Sequence, residues 1–169
     1  MLEQLITLYL GGIVGAVLMD SAETIAARYG INSGVNVALV GRWALAFSRG
    51  RWHHRDIRTA TPSPHEVTAG WLFHLFIGGG GVALLLPLAW QMGATSLPLT
   101  SPLPYLFFGL ATSALPWFIL LPSFGWGLWG RRGPAGSNAL LASPLSHIPY
   151  GLGIWLAVVT VNTFFNING

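Results

Sequence analysis

The sequence contains no cysteine. Disulfides, thiolate metal sites and cysteine nucleophiles are therefore all excluded. Lysine is absent too, and all eight cations are arginine. Charge of either sign is scarce: 8% of the 169 residues carry one, against about 25% in a soluble domain. So few charges cannot cover a water-facing surface. The basic balance is better read as membrane topology than as a nucleic-acid footprint, and no nucleic-acid partner is expected.

Apolar residues are abundant, at 53% of the chain, and there are eight tryptophans, a residue that favours the water–lipid boundary. The expected fold is an all-α integral membrane protein, a single transmembrane domain over 1–169 with the lipid bilayer as its partner. A bilayer crossing needs about 20 apolar residues. Four runs qualify, near Leu5–Ser21, Thr68–Gln91, Pro104–Leu121 and Pro144–Phe164. The first helix can continue through "SAETIAARY" until Gly30 stops it. It does not read as a signal peptide, because Glu3 and no cation precede it and no small-x-small cleavage site follows.

Six arginines, Arg28, Arg42, Arg49, Arg51, Arg55 and Arg58, lie between spans one and two; Arg131 and Arg132 lie between spans three and four. Cytoplasmic loops attract arginine. Both termini are therefore expected outside, in a bacterial inner membrane, with both long loops inside. The first of these, about 34–60, is more than a loop. "VNVALVGRWALAF" is apolar apart from Asn36 and Arg42 and too short to span, which suggests an interfacial or re-entrant amphipathic helix on the cytoplasmic side. "SRGRWHHRDIR" follows, basic and aromatic, suited either to anionic headgroups or to topological anchoring alone. "SPHE" then opens span two as a capping box, with Ser63 as the cap and Glu66 three residues on.

Span two poses a physical problem: it holds His74 within an apolar run and four glycines, Gly78 to Gly81. Lipid gives helices no hydrophobic reason to associate, so small residues that allow close packing take over. At helical spacing Glu66, Gly70, His74 and Gly78 share a stripe that drifts to Gly81. On span one Asp20 follows Ala16 and Gly12; on span four His147 lies between Ser143 and Gly151. The expected packing residues are thus Gly12, Gly70, Gly78, Gly81 and Gly151. An imidazole facing lipid would cost several kcal/mol, so His74 is expected to point inward. Asp20, His74 and His147 all fall in the cytoplasmic third. They are expected to line a ligand or proton site with Arg42, with His53, His54 and Asp56 of "HHRD" as a lid.

Each residue also has a structural reading: Glu66 as a cap, Asp20 and His147 hydrated at the interface, His74 bonded to a neighbouring carbonyl. Chemically, His74 and His147 suit a bis-histidine haem, and Asp20 with both histidines offers ligand types for a divalent metal. No nucleophile elbow or metalloprotease helix is present. Binding or transport of a small molecule or ion is therefore expected ahead of a membrane-embedded enzyme or redox protein. An accessory or assembly subunit of a larger complex is a third class. The glycine patches also suit a homo-oligomer.

Five stretches, "GAVLMD" (Gly15–Asp20), "VGRW" (Val40–Trp43), "GRWHHRDI" (Gly50–Ile57), "GWLFHLFIG" (Gly70–Gly78) and "SHIPYGLGIWL" (Ser146–Leu156), together resemble an uncharacterised family of bacterial inner-membrane proteins, domain-of-unknown-function family 2938. The resemblance spans nearly the whole chain. It implies a small multi-span membrane protein with shared positions at Asp20, Arg42, His54, His74 and His147, and it implies no substrate.

Overall fold

A computed structural model describes residues 2–93 and 100–165, and among these the fold is helical with no strand. Four helices are long and apolar enough to cross a membrane: α1 (Leu2–Arg28), α3 (Glu66–Ala89), α4 (Leu103–Ser123) and α5 (Asn138–Phe164). The short apolar helix α2 (Val37–Phe47) lies between the first two. The chain is a helical membrane protein with four candidate spans.

Local chemistry sets the helix ends. α1 runs past its apolar stretch and stops at Gly30, whose φ is +81°. There the Ile31 N–H donates to the Ala26 carbonyl and the Gly30 N–H to the Ala27 carbonyl, both at 3.0 Å, the paired bonds of a Schellman stop. α2 ends the same way at Gly50, with Arg51 N–H on Ala46 O and Gly50 N–H on Phe47 O, both at 2.9 Å. It begins at Asn36, whose side chain accepts the Leu39 N–H at 3.0 Å.

Two spans are not uniformly α-helical. α3 turns into a π-helix over Phe73–Gly81, and α4 does so over Pro116–Leu120. Pro116 lacks an N–H, so the regular ladder fails there. Pro144 and Pro149, by contrast, sit inside an uninterrupted α5.

The chain divides into two compact units. The first draws on Met1–Ala22, Leu75–Thr112 and Ser146–Gly169. Its core is Leu8, Ala83, Leu86, Tyr105, Phe108, Tyr150, Ile154 and Val158. Its helices meet backbone to backbone. A methyl group on Gly12 would overlap the Gly79 carbonyl, one on Gly15 the Tyr150 carbonyl, and one on Gly151 the Tyr105 carbonyl. The Tyr150 hydroxyl donates to the Gly79 carbonyl at 2.6 Å. The α-helical period puts Gly78 and Gly81 on the packing stripe, but the buried pair is Gly79 and Gly80, while Gly78 and Gly81 are half-buried. The wide π turns change which residues share a face. Tyr9 lies over Gly80, its ring 2.6 Å from where a Cβ would stand.

The second unit comprises Glu23–His74 and Ser113–Leu145. Its core gathers Leu39, Val40, Trp43, Ile57, Leu121, Phe124, Trp126 and Ala139. α2 is clamped onto the first turns of α3 by a reciprocal glycine pair. A side chain on Gly41 would strike the Glu66 carbonyl, and one on Gly70 the Val37 carbonyl. Trp43 then stands edge-on to Phe73 at 5.3 Å.

Gly41→Val and Gly70→Val are each expected to lower stability by about 1–3 kcal/mol or more, the range for overpacking. Gly81→Ala is expected to be neutral or stabilising, because its Cβ would meet only the Phe76 carbonyl, at 3.5 Å. Thermal melting of the purified variants in detergent checks the contrast, and equal losses at all three positions would overturn the close-approach account.

Candidate functional site

Arg42 is the only charged residue in α2, and all three of its guanidinium nitrogens donate hydrogen bonds. Nε donates to Glu66 Oε2 at 2.9 Å and an Nη to Oε1 at 3.0 Å. The other Nη donates to the carbonyls of Ile57 and Ala60, each at 3.1 Å. The two side chains are only 12% and 13% exposed. One fork thus joins α2, the Ile57–Ala60 turn and the first residue of α3. Bidentate pairing of this kind is geometry only arginine provides. Glu66 also accepts the Ser63 N–H at 3.0 Å, which is half of the capping box. The Ser63 hydroxyl instead accepts from the His65 N–H at 3.4 Å. Arg42, expected as a ligand-site residue, is thereby committed to a structural clasp.

The "HHRD" segment is also tied down. The His54 N–H donates to the Ser123 carbonyl at 2.8 Å and the Ile57 N–H to the Phe124 carbonyl at 2.9 Å. Asp56 holds Arg58 through both oxygens, Oδ2 at 2.7 Å and Oδ1 at 3.1 Å, and accepts the Trp126 indole N–H at 3.2 Å. Gly125 packs so closely on the Arg55 carbonyl that a Cβ there would overlap it. His53 is exposed. His54 is buried at 7% exposure, and its Nε2 has no hydrogen-bond partner. Burial first, then the positive charges of Arg51, His53 and Arg42, lower its pKa below the ordinary imidazole value. The Asp56 carboxyl is held well below the usual range, chiefly by the hydrogen bonds from the Arg58 side chain.

His74 is half-buried in α3, within the π-helical stretch and 6.1 Å from the Trp71 ring. It belongs to the second unit, with Arg42, His53, His54 and Asp56; Asp20 and His147 belong to the first. Asp20 is half-buried on α1, one turn beyond the buried Ala16. His147 is half-buried on α5, its Nδ1 3.4 Å from the Ser146 hydroxyl and its ring 6.4 Å from Tyr150. Among the described residues no three His, Asp or Glu side chains gather as a metal site. Among the described residues two further buried polar atoms stand without a partner, Ser113 Oγ, just before the π turn of α4, and Trp117 Nε1, within it. Pro116 was the only signal in the sequence for them.

A family model described as "Protein of unknown function (DUF2938)" matches residues 9–161. The chain belongs to this family. The DUF2938 match takes in every motif quoted above and extends through all four spans, and its description specifies no activity. No curated protein and no solved structure matches the chain.

In this DUF2938 chain Arg42→Ala is expected to cost about 1–3 kcal/mol, the range for leaving a hydrogen-bonded group at a half-buried site without its partner. The double variant Arg42→Met/Glu66→Met should recover much of that loss. Melting of the single and double variants checks this, and a double variant as weak as the single would sink it. His54 yields a pH prediction. A depressed folded pKa means the released segment binds the proton more readily. The stabilisation is then present above the unfolded value of about 6.5 and lost as pH falls through it toward the folded value. The effect of Asp56 is lost only below its unfolded value of about 3.9. Wild-type melting temperature should fall between pH 7.5 and 5.5 more steeply than that of His54→Phe; parallel slopes would assign the effect elsewhere.

Proposed function

We propose that the protein binds, and in a transport cycle passes, a proton or small polar molecule at His74. The observation that carries this reading is the place of His74: an ionisable side chain inside a membrane span, in a stretch of π-helix. Ionisable groups within spans are costly and mark functional sites by default, and π turns occur frequently at such sites. Imidazole is the side chain whose charge changes near neutral pH. A structural reading of the π-helix also has support, since Gly79 and Gly80 take close contacts there, but those contacts do not call for a titratable group at His74.

The membrane in this reading is the bacterial inner membrane, with the termini outside and α2 lying at the cytoplasmic boundary. Supporting it, all eight arginines fall in the segments of the second unit, and the first unit has none.

Transport is tested in proteoliposomes with an imposed pH gradient and a lumenal pH dye. His74→Leu, similar in volume, should melt within about 1.5 kcal/mol of wild type yet relax the gradient at the rate of empty vesicles, and His74→Gln should do the same. Native mass spectrometry covers the binding alternative, with a small molecule retained by wild type and lost from both variants. If all three proteins relax the gradient equally and retain the same small molecules, His74 is a packing residue and the reading is wrong.

A further inference from the structure

The geometry points to a built contact surface for anionic phospholipid headgroups on the Phe47–Arg55 segment, formed by Arg49, Arg51 and Arg55 with the aromatic faces of Phe47 and Trp52. It rests on the membrane assignment and not on the reading of His74.

Depth is the first argument. Glu66 is the first residue of the span α3, and Gly70 stands one turn further in, about 6 Å along the axis. The Gly41 and Gly70 contacts hold α2 against that first turn with no side chain between the backbones. α2 is thereby fixed at the end of a span, and the segment that leaves it at Gly50 starts at headgroup level.

Order is the second. The Trp52 carbonyl accepts the Trp43 indole N–H at 2.7 Å, and His54 is pinned to Ser123. With the Arg51 N–H on the Ala46 carbonyl and the Ile57 N–H on the Phe124 carbonyl, both at 2.9 Å, the backbone that carries Arg51 and Arg55 is tied on either side, and Arg49 sits in the turn that closes α2. Phe47 is 56% and Trp52 58% exposed, and Arg49, Arg51 and Arg55 are exposed as well. Tryptophan at a span boundary favours the interfacial layer.

Charge is the third. The nearby carboxylates are already taken, Glu66 by Arg42 and Asp56 by Arg58. Among the described residues Arg49, Arg51 and Arg55 form no ion pair with a carboxylate. Three guanidiniums at headgroup depth without internal anions suit external phosphodiesters, which arginine grips in bidentate fashion. Topological anchoring alone needs positive charge somewhere in the loop. It does not need a backbone tied at several points with two exposed aromatic side chains in the same segment.

The test uses the full-length protein purified in detergent with equimolar phosphatidylglycerol and phosphatidylcholine, the retained lipids being counted by native mass spectrometry. Wild type should retain phosphatidylglycerol preferentially. Arg49→Gln/Arg51→Gln/Arg55→Gln should lose that preference by about tenfold or more, and each single variant by up to about fivefold, the worth of one basic residue at a charged surface. Arg131→Gln/Arg132→Gln should keep it, and excess inorganic phosphate should not displace the lipid. An unchanged preference in the triple variant overturns the proposal. Equal loss in the Arg131/Arg132 variant overturns it in favour of diffuse charge, and displacement by phosphate in favour of a free-anion site. Because retention is read on purified protein, failure here leaves the His74 experiment untouched.

Discussion

The structure depends on bare backbone meeting bare backbone. Lipid tails are as apolar as leucine, so burying leucine between helices yields little, and association must come from dispersion at short range. Gly12 against Gly79, Gly151 against Tyr105 and Gly41 against Gly70 are the points where that range is reached. Large apolar side chains such as Leu10, Val17, Phe107 and Ile119 are left outward, each about half exposed or more. In water this would be an aggregation surface; in a bilayer it is the solvated face.

Polar groups follow the same economy. A membrane-boundary carboxylate that found no partner would carry its full desolvation cost. Glu66 and Asp56 each meet an arginine through two oxygens, and the Arg42 fork also satisfies two carbonyls of a turn. The first of these pairs makes α2 an extension of α3, so that the clasp and the glycine crossing reinforce one another. An arginine read from sequence as a ligand is thus the pin of a joint. Among the described residues of the second unit, His54 Nε2, Ser113 Oγ and Trp117 Nε1 are the exceptions.

Much of the fold was legible because composition and run length are one-dimensional properties. The four spans fall where the apolar runs lie, and α1 stops at Gly30 by the local rule that glycine tolerates positive φ. The helix of span four begins at Asn138, ahead of Pro144, since a proline in the first turns of a helix does not mark its start. The Arg42–Glu66 pair was not legible, because its members are 24 residues apart and a local partner for Glu66 was already at hand in Ser63. A lone arginine in an apolar helix was the available clue. Gly78 and Gly81 give way to Gly79 and Gly80 as the buried pair because a 3.6-residue period was carried through a stretch that does not obey it. Of the candidate site, the sequence identified residue types that resist burial, but which unit each joins depends on tertiary contacts.

That stretch, Phe73–Gly81, has one more consequence. A π-helix fits surplus chain into each turn compared with its α-helical neighbours, so α3 carries slack in the middle of a span. Shortening the chain by one residue there gives the helix a route to close up into regular α geometry while the ends stay in phase. The same excision in the evenly wound α5 would swing everything beyond it onto a different face. The span that holds His74 is therefore the one built with length to spare.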